Sequence, residues 1–262
     1  MKYWIASYPR SGNTFFRILL QEVYGIKTWE GYGDESPQKV IDFINKTNSG
    51  VNVFIKTHDL PTNTELPHQQ LKAIYLVRDG RDAAVSMAYH RKNIVKPGSD
   101  YLFNLRAGIL SPFDTSFGGW SKHVNAWTKQ TDIIIKFENL IANPKLELQK
   151  LEKHINLPKG DYSKIPTFKD LKSKNYGLGS GNNELSEAEH KKRRENFFRE
   201  GKTKTYIANI PKPLISIFNH KHGEALRHFG YKQTQVEAFI HVKIFCQYLL
   251  AAVGYIKEVL KL

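Results

Sequence analysis

KYWIASYPRSGNTFFRILL, residues 2–20, starts with a short apolar run at Tyr3–Ala6, breaks into the polar loop Ser7–Thr14, and resumes from Phe15 with helical character. Strand, polar loop, helix is the reading. Comparable strand patterns recur at Val51–Lys56 (VNVFIK), Lys72–Val77 (KAIYLV) and Asp132–Phe137 (DIIIKF), each short and rich in β-branched residues. Helical patterns fall between and after them, at Phe15–Tyr24, Arg81–Asn93, Gly119–Gln130 and Pro144–Ile155. Later come a charged helix at Glu187–Phe198 and another from about Pro211 to His228, with a Gly-rich stretch at Asn175–Asn183 before them that reads as mobile. Strands alternating with helices specify an α/β fold, a single domain whose central parallel sheet is flanked by helices.

The chain has 262 residues, enough to bury a sizeable core, with 24% charged and 12% aromatic residues, so it is neither disordered nor fibrous. Thirty-nine Lys and Arg against 25 Asp and Glu leave a net charge of +14, which points to anionic partners: nucleic acid, an anionic membrane surface or a small phosphorylated ligand. The excess is uneven, six against five over residues 1–50 but nine against three from residue 201 onward. A lone cysteine, Cys246, forms no intrachain disulfide and supplies no multi-cysteine zinc site, so it reads as a small buried apolar residue in a reducing compartment. The first residues read as a strand rather than a secretory signal, which sets a cytoplasmic expectation.

Three loops fall at the carboxyl ends of the first three strands, where open α/β sheets bind ligands. In the first, Arg10 brings a fixed positive charge, Ser11 and Thr14 offer hydroxyls, and Gly12 permits close backbone approach at a helix N-terminus that favours an anion. The G-x4-G-K-[ST] pattern of ATPases and kinases is absent. In the second, Lys56 and His58 stand two apart on an extended segment and point the same way, an ammonium for a developing negative charge beside an imidazole for a proton. In the third, Arg78 ends its strand and Ser86 lies two turns into the following helix, a pair suited to a phosphate. Neither H-E-x-x-H nor an EF-hand loop occurs, so no metal is expected.

Together the loops resemble the cytosolic-type sulfotransferase family, whose donor is 3′-phosphoadenosine-5′-phosphosulfate (PAPS). YPRSGNTF at Tyr8–Phe15 is similar to the family's 5′-phosphosulfate loop, and KTHDLP at Lys56–Pro61 to its KTHLP. YLVRDGRDAAVS at Tyr75–Ser86 is similar to its 3′-phosphate segment, and FFREGK at Phe197–Lys202 to its R-K-G loop. GGWSKHVNAW at Gly118–Trp127 and IIIKFENL at Ile133–Leu140 are weaker echoes. The resemblance runs from about Trp4 to Tyr231 and implies a P-loop-like nucleotide-binding architecture with a sulfotransferase domain over residues 1–231. It assigns Arg10 to the 5′-phosphosulfate, Ser11, Gly12, Asn13 and Thr14 to its backbone cradle, and Phe15 to stacking on adenine. Lys56 falls to the bridging and sulfuryl oxygens, and His58 to the catalytic base. Arg78, Ser86, Arg199 and Gly201 fall to the 3′-phosphate, Phe137 to the adenine, and His123 and Val124 to the acceptor. Arg10 stands where Lys is common, Phe15 where Trp is common, and Glu200 where a second base is usual.

The implied reaction is in-line sulfuryl transfer from PAPS to a hydroxyl or amine of a small-molecule, glycan or lipid acceptor, with His58 as base and Lys56 and Arg10 neutralising charge. The aromatic-rich connection Ile94–Phe117 is a candidate acceptor pocket or lid. Trp120, His123 and Trp127 share one helical face and also read as packing. The rival readings are a P-loop-type nucleotide kinase and a non-enzymatic polyanion-binding protein resting on His190–Arg194, a run that interleaved glutamates mark as a solvated helix face; no nucleic-acid motif accompanies it. The family's C-terminal dimer motif is not found. Beyond residue 231, a C-terminal extension, 232–262, reads as an amphipathic helix that gathers Lys243, Gln247, Gly254, Glu258 and Lys261 within about 60° of a helical wheel and leaves the other faces largely apolar. Docking on the core, a homodimer contact and a peripheral membrane contact are all open for it, since its uncharged stretch Ile244–Ile256 falls short of the roughly 20 residues that span a bilayer.

Overall fold

A computed structural model describes residues 1–30, 52–63, 72–110, 117–131, 133–178, 186–198, 201–233 and 240–260. They group into two compact units: Met1–Arg78 with Ser116–Gly118 and Lys122–Gly201, and Asp79–Thr115 with Gly119–Ser121 and Lys202–Leu262.

The first unit carries one five-stranded sheet, built from β1 (Lys2–Ser7), β2 (Thr28–Glu30), β3 (Val53–Thr57), β4 (Lys72–Val77) and β5 (Ile134–Lys136) in the order β2-β3-β1-β4-β5. Every pairing is parallel. The chain begins at the centre with β1, forms the edge strand β2, returns to fill β3 between them, then crosses to the other side of β1 for β4 and β5. That reversal opens a crevice at the carboxyl end of β1, the usual ligand position in such sheets. Register sets Ala6 opposite Thr57 and Ser7 opposite Leu76, so the residues leaving β1, β3 and β4 emerge at one level.

Alternation along the strands divides the sheet's two faces. Tyr3 and Ile5, with Phe54, Ile74, Leu76 and Ile135, pack on Phe16, Leu19, Leu20 and Val23 of helix α1 (Asn13–Tyr24) and on Leu148 and Leu151 of the helix Pro144–Glu152. Residues of the other parity, Trp4, Ala6, Ile55 and Tyr75, are also buried, as a parallel sheet covered on both faces requires. The helix α1 ends at Gly25, whose φ of 67° suits the left-handed closing turn.

The strand Lys72–Val77 lies where the sequence places it, and the other boundaries shift by a few residues. The fifth strand stops at Lys136, because Phe137 opens a short helix, Phe137–Ala142, which Asn143 separates from the next by accepting a hydrogen bond from Leu146 N. The Gly-rich stretch from residue 179 onward lies outside the described residues.

The second unit is helical. Gly80–His90 runs into one π-helical turn, Arg91–Val95, and Tyr101–Leu110, Tyr206–Asn209, Lys212–His228 and Ile240–Leu260 follow. A Cβ at Gly80 would come within 2.5 Å of Phe218 and 2.6 Å of Trp120, so only glycine fits there. Asp82 gathers three donors from one later turn: Lys204 N at 2.6 Å, Tyr206 N at 2.9 Å and Thr205 Oγ1 at 2.9 Å.

Within the connection Ile94–Phe117, residues Tyr101–Leu110 form a helix whose Leu105, Ile109 and Leu110 are buried, and residues 111–116 lie outside the described residues. One expectation is corrected in this unit. Cys246 is exposed rather than buried, because the helix that carries it turns its polar stripe inward.

Candidate active site

The loop between β1 and α1 is shaped by two positive-φ residues, Arg10 at 67° and Gly12 at 93°. A Cβ at residue 12 would run into the Phe137 ring, so glycine is needed there on both conformational and steric grounds. Asn13 opens the helix with a buried side chain whose Nδ2 donates to Ile5 O (3.0 Å) and Ser7 Oγ (3.1 Å), tying the loop back to β1. No side chain caps the start of α1. Ser11 is 1% exposed, and its Oγ is buried with no hydrogen-bond partner. A buried hydroxyl left over beside uncapped helix N–H groups is what an anionic oxygen would satisfy.

Two guanidiniums flank this loop. Arg78, leaving β4, donates from Nη1 to Arg10 O (3.1 Å) and lies with Cζ 4.3 Å from the Phe137 ring centroid. The Arg10 side chain donates to Phe197 O (3.1 Å) and sits 4.2 Å over the Phe197 ring. Phe137 thus fills the space between Gly12 and the Arg78 plane, and Phe197 aims Arg10. Burial, and then the Arg78 charge, pull the Arg10 pKa down to about 9. A guanidinium does not lose its proton in the working range, so the shift marks a buried positive charge beside a second one, a setting that favours an anion.

The second loop presents His58. Its Nδ1 lies 2.7 Å from Ser7 O, an atom that only accepts, so Nδ1 carries the proton and the basic lone pair is on Nε2. Ser7 Oγ lies 3.1 Å from the same nitrogen and receives the Asn13 amide, which links the two loops. Burial holds the His58 pKa well below its usual 6.5, with the Lys56 ammonium as the next cause. The ring is therefore neutral at pH 7, the form a base requires. Phe117 meets it edge-on with centroids 6.3 Å apart.

His123 is fully buried and both ring nitrogens face protein atoms. Nε2–H donates to His58 O (3.0 Å), and Nδ1 accepts from Tyr75 OH (2.9 Å). Burial lowers its pKa to about 4, which keeps that arrangement neutral. One helical turn on, Trp127 Nε1–H donates to Asp59 O (2.8 Å). Side chains four apart on one helix thus fix two successive carbonyls of the base-bearing loop. Val124, between them, is buried.

Arg10, Ser11, Gly12, Asn13, Thr14, Lys56, His58, Arg78 and Phe137 all fall in the first unit. Phe15 is half-buried against the sheet's core, and Gly201, at φ 60°, closes on Phe168, whose Cε2 would stand 2.6 Å from an added Cβ. Ser86 belongs to the second unit, half-buried on the helix Gly80–His90. Arg199 and Glu200 lie outside the described residues. Sequence reading missed Ser7, Tyr75 and Phe197 as supports; Trp127 carried a signal, its spacing from His123. Among the described residues no group of three or more His, Cys, Asp or Glu side chains is placed to hold a metal.

The family model of the sulfotransferase domain matches residues 1–230. Sulfotransferase 1 family member D1 of Mus musculus is 27% identical over 186 residues, 62% of this chain and 61% of that protein. Sulfotransferase 1A1 of Canis lupus familiaris is 26% identical over 197 residues, covering 64% and 65%. The matched part is thus less than two thirds of these relatives' length. Among solved structures, mouse sulfotransferase SULT7A1 complexed with PAP superposes with a TM-score of 0.67 at 17% identity, over 86% of this chain and 84% of the other. Retinol dehydratase in a complex with retinol and PAP does so at 0.61 and 15%, over 89% and 83%. At those identities the likeness shows a shared fold.

Proposed function

The chain belongs to the sulfotransferase domain family, and from that premise we propose that it transfers the sulfuryl group of PAPS to a hydroxyl or amine of a small-molecule, glycan or lipid acceptor. The observation that carries the reading is the pairing of a neutral His58, protonated on Nδ1, with an anion-seeking loop tied to it through Ser7 and Asn13. The donor fits the residues present: the buried Ser11 Oγ has no hydrogen-bond partner, and the Arg10 and Arg78 guanidiniums flank the same loop. PAPS would supply an activated sulfuryl group, which passes in line to the acceptor and leaves the 3′,5′-bisphosphate.

Arg10, Ser11 and the N–H groups of residues 12–14 hold the 5′ end in this reading, and Arg78 binds the 3′-phosphate. Lys56 and Arg10 stabilise charge on the oxygens between sulfur and phosphorus. His58 Nε2 takes the proton of the attacking acceptor atom, while Ser7 O holds the ring from its far side and His123 and Trp127 fix the backbone beneath it. The Phe117 ring beside His58 supports an acceptor with an apolar body around its hydroxyl. The single cysteine supports the cytoplasmic setting expected from the sequence.

The pH dependence tests the base. Because the His58 pKa is depressed, the basic form is complete at neutral pH and is lost only as the pH falls through the depressed value. kcat/KM should therefore stay flat across pH 6.5–8 and drop on an acid limb below 6.5. Lys56→Gln removes the second cause of the depression and should move that limb upward, in addition to lowering the plateau. A limb that stays in place, or moves down, separates Lys56 from the base and contradicts this arrangement.

A further inference from the structure

The C-terminal helix Ile240–Leu260 is packed inside out. Its polar stripe faces the protein: Gln247 Oε1 accepts from Arg106 Nε (3.0 Å), Gly254 lies against Phe103, and Lys243 is half-buried on the same side. Tyr248 OH, at the edge, donates to Leu110 O (2.8 Å). The opposite side is apolar and exposed, with Val242 at 58%, Phe245 at 63%, Leu249 at 52%, Leu250 at 46% and Val253 at 50%. An amphipathic helix that only docked on its own domain would bury these residues and expose Lys243 and Gln247.

Two observations say what covers it. First, at 100° per residue Val242, Phe245, Leu249, Leu250 and Val253 span an arc of about 140°, wider than the roughly 100° stripe a helix presents to one packed neighbour, and the one charged position within that arc is Lys257, near the C-terminal end of the helix. A partner helix would cover a seam, whereas an apolar phase covers the whole arc. Second, the unit that carries the helix has fourteen Lys and Arg against seven Asp and Glu, and of these Asp79, Asp82 and Arg81 are buried within it. The excess suits an anionic layer beside the apolar one. No helix among the described residues is long and apolar enough to cross a membrane.

We infer that Ile240–Leu260 lies flat in the interface of an anionic lipid bilayer, with Phe245, Leu249 and Val253 inserted among the acyl chains and the basic unit held against the headgroups. This is independent of the donor chemistry. The test is cosedimentation of the full chain with vesicles of phosphatidylcholine alone and with one third phosphatidylserine. Binding should be stronger to the second and weaken with salt, and Phe245→Ser with Leu249→Ser should lower partitioning at least tenfold without altering the circular dichroism spectrum or PAP binding. Failure of the intact chain to sediment with either vesicle overturns the inference. So does a stable dimer in solution that the same double substitution dissociates, which would assign the face to a second copy of the chain.

Discussion

His58→Ala should lower kcat/KM for sulfuryl transfer by about a thousandfold, which is about 4 kcal/mol of transition-state stabilisation. The figure follows from what the side chain does: one neutral ring, fixed through Nδ1–H to Ser7 O, offers Nε2 to the acceptor proton. The loss should fall on the chemical step. PAP should bind the variant as it binds the parent, because the contacts proposed for the nucleotide come from Arg10, Ser11 and Arg78 rather than from His58. His58→Asn is the control for structure, since its amide can still donate toward Ser7 O and yet offers no base; it should be as inactive as alanine. Steady-state kinetics beside calorimetric PAP binding reads both. Activity of either variant within tenfold of the parent would remove His58 as the base.

Arg78→Ala should weaken PAP binding by about a hundred- to a thousandfold, roughly 3–4 kcal/mol, the worth of a charge-assisted pair of hydrogen bonds to a phosphate together with the positioning that depends on it. Arg78 also donates to Arg10 O and stacks on Phe137, so its loss releases the loop that holds the other guanidinium. Lysine should restore only part, because an ammonium brings the charge without the plane that lies on Phe137. Electrostatics predicts the reverse sign for the unliganded protein: removing one of two facing cations relieves Arg10, whose pKa the Arg78 charge depresses. A variant that binds PAP tightly would show that this guanidinium is structural.

What the sequence made legible was local. Each strand was a short apolar run ending in a chemically distinctive loop, so β1, β3 and β4 and the residues at their tips could be read together. β2 was missed because three residues, Thr28–Glu30, carry too little pattern. The helix Tyr101–Leu110 was hidden because it is apolar on nearly every side, leaving no 3.6-residue contrast. Arg10 at φ 67° had no signal at all, since a left-handed arginine is set by its partners, Phe197 and Arg78, 187 and 68 positions away. The roles of His123 and Tyr75 were equally tertiary: spacing marked a helical face, and only the fold shows it holding the carbonyl of His58. At Cys246 the composition rule failed because the helix is inverted, a decision taken by Arg106 and Phe103 on another element.

The central claim, a PAPS site at the carboxyl ends of β1 and β4, is tested most directly by thermal unfolding of the purified chain with PAP. At a hundred times the dissociation constant, PAP should add about 2.7 kcal/mol of stability. That is an upward shift of a few degrees in Tm for a chain of this size, absent with ATP at the same concentration and lost in Arg78→Ala. No shift with PAP, or an equal shift with ATP, would contradict it.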